Sequence, residues 1–345
     1  MGGDHPVTVQ SMCTTDTRNP EASLTQIRDL AKAGCSLIRL AVPDEEAAVA
    51  LKEIVKGSPI PVIADIHFDY RLALTALASG VHGLRINPGN IGARERVEKV
   101  VEAARERQVP IRIGVNGGSL SKRILEKHGG VTAEAMVDSA LENIRILEEL
   151  NYPWMKVSLK SSNVPMMIEA YEKLGALVDY PFHIGVTEAG TEKSGLIKSS
   201  VGIGILLHQG IGDTLRVSLT ADPVKEVHAG YEILKVLGLS QRGATLISCP
   251  TCGRTEINLI NLARQVEELV ESLDVPLKVA VMGCPVNGPG EAREADIGIA
   301  GGKKVGLIFK KGQILRRVPE EDLYEEFVKE LNQTVKEFKE RSNES

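Results

Sequence analysis

Between residues 7 and about 237, short apolar runs alternate with stretches of helical periodicity. The runs begin at Val7, Leu37, Pro61, Gly83, Ile111, Met155, Pro181 and Thr214, and most are β-branched or leucine-rich. Strands buried on both faces of a parallel sheet read this way. The segments between them repeat apolar residues every three to four positions. Residues 21–34 place Leu24, Ile27, Leu30 and Ala31 on one stripe and end in Gly34, as a helix with a C-terminal glycine does. Eight βα units in about 230 residues predict a (β/α)8 barrel. The rival α/β arrangement is an open doubly wound sheet, but no Gly-x-Gly-x-x-Gly follows the first run.

Residues 238–243 read as a short linker, dividing the chain into 1–237 and 238–345. The second part is a smaller α/β unit. It predicts strands at 245–248, 278–282, 295–300 and 305–309, with a helix at 258–272. Lys310-Lys311-Gly312 reads as a hairpin turn into a strand at 313–318. A final helix at 320–339 spaces Leu323, Phe327, Leu331 and Val335 by four.

Each barrel run ends in polar groups: Gln10 and Ser11; Arg39; Asp65 and His67; Arg85 and Asn87; Arg112 and Asn116; Ser158 and Lys160; His183 and Glu188; Arg216, Ser218 and Thr220. Catalytic residues of such barrels cluster at the C-terminal ends of the strands. Arg39, Arg85, Arg112, Lys160 and Arg216 would ring one mouth. Cations converging there are costly without an anion to neutralise them, and planar guanidinium groups suit a phosphate ester. Any single one of these arginines is better explained as a layer-filling residue paired with Asp65 or Glu188. The set is better explained as a substrate site.

Composition removes other classes. The chain has 345 residues, a net charge of −5 and 3% aromatics, which leaves neither the basic field nor the stacking platforms of a nucleic-acid binder. No apolar run approaches the roughly 20 residues of a membrane span. The opening Met-Gly-Gly-Asp-His-Pro has no signal-peptide character. A cytoplasmic setting follows, in which thiols stay reduced and cysteine groups more often mean metal or catalysis.

Three cysteines carry the second signal. Cys249 and Cys252 form a Cys-x-x-Cys pair in Ile-Ser-Cys-Pro-Thr-Cys-Gly-Arg (247–254). Cys284 lies in Met-Gly-Cys-Pro-Val-Asn-Gly-Pro-Gly-Glu (282–291). Three thiolates in Pro/Gly-rich loops suit an iron–sulfur cubane with one iron open, since such clusters are normally held by four. Zinc would need a fourth partner from elsewhere, and a thioredoxin-type pair needs no third cysteine. Three unrelated buried thiols are the bland alternative, set against the loop positions. Cys13 and Cys35 match no ligand spacing and read as packing residues. His67 reads as a core histidine with a backbone partner, and His5, His82, His128, His208 and His228 as structural or exposed.

Connectivity adds a consequence. The helix after the eighth strand, about fifteen residues and roughly 22 Å long, returns the chain to the barrel's bottom. The linker is about six residues. A reaction using both sites would need a second copy, so a head-to-tail homodimer with shared sites is expected.

Long motifs then match a known family: Val-Gln-Ser-Met (9–12), Ile-Arg-Leu-Ala-Val-Pro (38–43), Ala-Asp-Ile-His-Phe (64–68), Leu-Arg-Ile-Asn-Pro-Gly-Asn (84–90), Gly-Val-Asn-Gly-Gly-Ser-Leu (114–120), Gly-Val-Thr-Glu-Ala-Gly (185–190), Gly-Ile-Gly-Asp-Thr-Leu-Arg-Val-Ser-Leu-Thr (210–220) and both cysteine stretches. Over essentially its whole length the chain resembles the bacterial 4-hydroxy-3-methylbut-2-enyl diphosphate synthases of the methylerythritol phosphate route to isoprenoids, in their short two-domain form. It departs from them at the start, where the family usually has about a further strand's worth of residues before Gly2.

The resemblance implies reductive ring opening of 2-C-methyl-D-erythritol 2,4-cyclodiphosphate to (E)-4-hydroxy-3-methylbut-2-enyl diphosphate. It implies one 4Fe-4S cluster per chain on Cys249, Cys252 and Cys284, with Glu291 on the fourth iron. Arg39, Arg85, Asn87, Arg112, Asn116, Lys160, Arg216 and Ser218 would bind the cyclodiphosphate. Asp65, His183 and Glu188 would position hydroxyls or move protons, Glu188 foremost; capping the next helix is its competing role. Electrons would come from reduced flavodoxin or ferredoxin, both acidic. Lys303, Lys304, Lys310, Lys311, Arg316 and Arg317 could dock the donor or merely blunt a hairpin edge. Two rivals remain: a zinc-stabilised barrel binding a phosphometabolite, and a cluster-dependent hydro-lyase. Colour separates the first and reductant demand the second.

Overall fold

A computed structural model of the chain describes residues 2–271, 273–284 and 292–343. It comprises two compact units, Met1–Ser240 and Gln241–Ser345.

The first unit is a parallel eight-stranded barrel. Its strands are β1 (Thr8–Met12), β2 (Leu37–Ala41), β3 (Val62–Asp65), β4 (Gly83–Ile86), β5 (Ile111–Asn116), β6 (Met155–Lys160), β7 (His183–Ile184) and β8 (Thr214–Leu215). Neighbours run in the order β6-β5-β4-β3-β2-β1-β8-β7. The ring closes between β6 and the approach to β7, through a parallel bridge of Val157 with Phe182 and a 2.9 Å bond from the Val157 N–H to the Pro181 carbonyl. The sequence predicted a longer seventh strand from Pro181. Hydrogen-bonded strand geometry holds for two residues there, and Phe182 before them makes only the isolated bridge to Val157.

The helices form the outer layer: α1 (Pro20–Lys32), α2 (Glu45–Gly57), α3 (Tyr70–Ala78), α4 (Pro88–Ile91), α5 (Arg94–Glu106), α6 (Lys122–His128), α7 (Ala133–Glu149), α8 (Val164–Gly175), α9 (Glu192–His208) and α10 (Pro223–Val236). Asn19, Asp44, Asp69, Thr132, Asn163 and Asp222 each accept a backbone N–H at a helix start. Such caps satisfy otherwise orphaned donors and fix where each helix leaves the rim. Helix α1 buries Leu24, Ile27 and Leu30, the stripe read from the sequence.

The second unit is a five-stranded sheet ordered β13-β12-β11-β10-β9. Its strands are β9 (Thr245–Ser248), β10 (Lys278–Met282), β11 (Ile297–Ala300), β12 (Val305–Lys310) and β13 (Gln313–Pro319), with helices α11 (Leu259–Glu271) and α12 (Leu323–Asn343). β9, β10 and β11 are parallel, and β12 and β13 return antiparallel. Lys311 and Gly312 both have positive φ, the geometry of a tight two-residue hairpin turn. Leu323, Phe327 and Leu331 are buried with Val279, Val281 and Ile299. β11 begins at Ile297, since the Ala295 N–H closes a turn onto the Ala292 carbonyl.

Candidate functional site

Register sets the barrel's charge. Asp65 pairs with Arg85, Arg85 with Arg112, and Arg112 with Lys156 on successive strands. Register partners in a parallel sheet share a face, so this ladder points into the barrel. Asp65 Oδ2 lies 3.4 Å from Arg39 Nε, and Oδ1 lies 3.2 Å from Arg85 Nη1. Arg85 Nη2 also donates to the Gly114 carbonyl at 3.1 Å. Arg112 Nη1 reaches Gln10 Oε1 at 3.4 Å, and its Nε has no partner. Arg39 donates to the Met12 sulfur at 2.9 Å. Arg216 lies 3.5 Å from Glu226 of α10.

Six cationic side chains, Arg39, Arg85, Arg112, Lys156, Lys160 and Arg216, are thus set against three carboxylates, Asp65, Glu226 and, acting on Lys156, Asp213. The titration shifts follow. Burial, together with Arg216 and Arg85, pulls Arg39 down to about 10, despite Asp65. Burial and Arg112 bring Lys156 to about 7. Burial and the surrounding arginines hold Lys160 well below the usual lysine range. Burial alone would raise Asp65; Arg39, Arg85 and Arg112 more than offset it, and its carboxyl lies below the ordinary value. The interior lacks negative charge, and an entering anion would supply it.

Two glycines make the packing feasible. A Cβ on Gly114 would stand 2.3 Å from Arg85 Nε, and one on Gly185 would stand 2.4 Å from the Arg216 carbonyl and 3.1 Å from Lys160 Nζ. Above the ladder, a cavity of about 250 Å³ is lined by His67, Phe68, Arg85, Asn87, Asn116 and Ser119, among others. Asn87 is buried and its Oδ1 has no partner. A larger groove of about 580 Å³ beside α1 and α10 carries Glu21, Asp29 and Asp222, the wrong sign for an anion.

His67 departs from the sequence reading. Its side chain is 57% exposed and faces Asp65 and Arg85 at 3.7 and 3.4 Å, because β3 ends at Asp65 and the chain rises out of the sheet. His183 opens β7 instead of ending it and is fully buried, with Nδ1 2.8 Å from Thr214 Oγ1 and Nε2 unpartnered. Burial and the nearby cations hold it well below the usual histidine range, so its ring is neutral. Glu188 is exposed and adopts φ +50°, a strained conformation for a non-glycine residue. Thr191 caps α9 by position, so Glu188 is not its N-cap. Ser218 and Arg216 are half-buried beyond β8. Sequence reasoning missed Lys156 and Glu226. The alternation Lys156, Ser158, Lys160 along β6 carried a signal for the first; nothing local pointed to the second.

In the second unit Cys249 and Cys284 lie at the C-terminal edge of the parallel strands. Cys249 follows β9, and its N–H donates to the Val281 carbonyl at 3.2 Å. Cys284 lies two residues past β10 and is buried. The intervening Gly283 N–H donates to the Cys249 sulfur at 3.1 Å, so the Cys249 thiol faces the segment that carries Cys284. Cys252 is exposed and its N–H donates to Thr255 Oγ1. The Arg254 backbone N–H, then its guanidinium, lowers the Cys252 thiol. Three free thiols, one favoured as thiolate and one accepting an amide hydrogen bond, form a donor set that fits an iron–sulfur group. Among the described residues, no three His, Cys, Asp or Glu side chains gather around a single-ion site; a cubane takes its thiolates at separate corners. Glu291 lies outside the described residues. Cys13 and Cys35 are buried in the barrel unit, and burial pushes them to about 12 and 11, as packing residues. No helix among the described residues is long and apolar enough to cross a membrane.

Comparison with known proteins agrees over nearly the whole chain. The GcpE TIM-barrel domain matches residues 1–231, and the GcpE protein C-terminal domain matches 245–333. Proteins named 4-hydroxy-3-methylbut-2-en-1-yl diphosphate synthase (flavodoxin) are similar throughout. That of Geobacter sulfurreducens is 62% identical, covering 98% of this chain and 96% of its own length. That of Maridesulfovibrio salexigens is 60% identical, covering 98% and 94%. A dihydropteroate synthase from Yersinia pestis shares the barrel fold at 12% identity, with a TM-score of 0.50 over 68% of this chain and 95% of its own. With both domain models matched in order and relatives near 60% identity end to end, this chain belongs to the GcpE family.

Proposed function

We propose that this chain reductively opens 2-C-methyl-D-erythritol 2,4-cyclodiphosphate. Two electrons and two protons are taken up, and one hydroxyl leaves as water. The product is (E)-4-hydroxy-3-methylbut-2-enyl diphosphate. The observation that carries the reading is the barrel's buried excess of cations, which a diphosphate neutralises, in a chain whose relatives bear that enzyme's name.

Arg39, Arg85, Arg112, Lys160 and Arg216 hold the diphosphate, with Asn87, Asn116 and Ser218 as further hydrogen-bonding groups. Asp65 fixes two of the arginines and orients a substrate hydroxyl. His183, neutral and with an unsatisfied Nε2, has a hydrogen-bonding position to offer the substrate. Glu188, displayed by a strained turn, moves a proton at the mouth. Cys249, Cys252 and Cys284, with Glu291 by resemblance, would hold one 4Fe-4S cluster, which when bound would supply the electrons and a Lewis-acidic iron.

The donor is an acidic flavodoxin or ferredoxin. Lys310 is bound to Glu337, and Arg316 to Glu326 and Glu330, so Lys303, Lys304, Lys311 and Arg317 are better suited to meet it. The enzyme works in the cytoplasm as a head-to-tail homodimer with shared sites. The eight residues between Val236 and Thr245 reach at most about 30 Å, which favours a partner's cysteine unit at each mouth.

Anaerobic purification followed by iron, sulfide and turnover measurements tests this. Brown protein converting the cyclodiphosphate only with a reductant is expected. Colourless zinc protein, or turnover without reductant, contradicts it.

A further inference from the structure

Helix α10 places a carboxylate on the face it buries. Its inward stripe is Pro223, Glu226, Val227, Gly230, Ile233 and Leu234. Glu226 is 4% exposed and stands where an apolar side chain would ordinarily pack. Burying a carboxylate is costly unless a cation and hydrogen bonds compensate it. Burial raises Glu226 above the usual carboxylate value, and Arg216 opposes that rise.

Its two oxygens are used differently. Oε1 accepts the Leu219 backbone N–H at 2.8 Å. Oε2 faces Arg216 Nε across 3.5 Å, and among the described residues neither atom has a closer hydrogen-bond partner. The bond to Leu219 keeps the carboxylate from turning, so Oε2 stays aimed at the guanidinium. The first turn of a helix also favours a negative group.

Arg216 needs such a hold. Strand β8 ends at Leu215, and a long side chain past the ladder has many rotamers to lose. Asp65 fixes Arg39 and Arg85 in the same way. A guanidinium donates both from its Nε side and from its Nη end. Glu226 takes the Nε side. The Nη1 end lies 3.6 Å from the Met12 sulfur, on which Arg39 also rests at 2.9 Å. A thioether is a weak acceptor, and a phosphate oxygen outcompetes it. Two guanidinium groups therefore converge where one anion would be gripped by both.

We infer that Glu226 is the positioning residue for Arg216, holding its Nε side so that the Nη end stays beside Arg39 and turned to the diphosphate. Glu226 acts through Arg216 and does not itself bind the substrate. This rests on the reading of Arg216 as a group that holds the diphosphate.

The test is steady-state kinetics of the iron-loaded enzyme on the cyclodiphosphate, with iron content and circular dichroism verifying that each variant folds. Glu226→Asp keeps the charge and shortens the reach. It is expected to raise KM about tenfold, the size of one hydrogen bond to a charged group. Its kcat is expected to stay at wild type, because a grip on the diphosphate is the same in ground and transition states. Arg216→Lys keeps the cation and removes the Nε–H, and KM is expected to rise there too. Adding Glu226→Asp to Arg216→Lys is expected to change KM by less than about twofold, since the two residues act as a unit. A merely structural carboxylate would give effects that multiply. Glu226→Gln, which keeps the size and the Leu219 acceptor, serves the same cycle should Glu226→Asp lose its fold. If Glu226→Asp keeps the wild-type KM, or the two effects multiply, the Glu226 assignment is overturned while the role of Arg216 stands. If Arg216→Lys leaves KM at wild type, Arg216 does not hold the diphosphate and both readings fall.

Discussion

Arg85 in the barrel and Cys252 in the second unit are both candidate site residues, yet they are held very differently. Arg85 is buried in a strand, bonded to Asp65 and to the Gly114 carbonyl, with a cradle cut for it by the missing Cβ of Gly114. Cys252 lies on an exposed loop, held locally by Thr255 and Arg254. The barrel site is organised before any ligand arrives, and its cost is charge crowding, visible in the depressed Lys156 and Lys160. The cysteine edge is held by local contacts alone: the Gly283 N–H on the Cys249 sulfur and the Cys252 N–H on Thr255. Preorganised charge lowers the reorganisation needed during reaction, whereas metal binding couples to local order and couples it to thiolate formation.

The largest expected effect breaks the second half of this contrast. Cys252→Ser should abolish bound iron and turnover together, measured as iron content and product formation. The barrel's melting should be unaltered, because the barrel unit has its own apolar core. Barrel unfolding together with iron loss would mean the two regions are not independent in the way described.

Paired glycine substitutions sharpen the first half. Gly114→Ala forces Arg85 aside, and a shift of about 1 Å in a positioning group costs on the order of 100-fold in kcat/KM. Gly253→Ala, between Cys252 and Arg254, meets nothing within 4 Å and should leave kinetics and iron content near wild type. Equal effects would erase the distinction between a packed site and an open one.

The smallest effect concerns charge crowding. Lys156 titrates near 7 when folded against an ordinary 10.5. Between these values the unfolded chain binds more protons, so stability rises with pH, by up to about 1.4 kcal/mol per unit. Lys156→Met should remove that rise, seen as a flatter dependence of urea midpoints between pH 7 and 10, with no loss of stability at pH 7. A lower midpoint at pH 7 would show that this cation is compensated.

Much of this molecule is local information. The strand starts at Leu37, Gly83, Ile111, Met155, Thr214, Thr245 and Lys278 follow from apolar runs. The strand-end arginines and the Cys-x-x-Cys pair are legible as residue types at regular spacings, and the family resemblance rests on the same short stretches. Closure of the ring and register were not local. They shortened β7 and turned Glu226 toward Arg216, ten residues away in sequence but across a strand–helix turn in space. They also brought Met12 against Arg39, cut the Gly114 cradle, and left His67 exposed beside Asp65 instead of in the core with a backbone partner. Hydrophobic pattern reports which face of an element is buried. Which side chains then share a buried face depends on how neighbouring strands are staggered, and that is decided when the whole sheet closes.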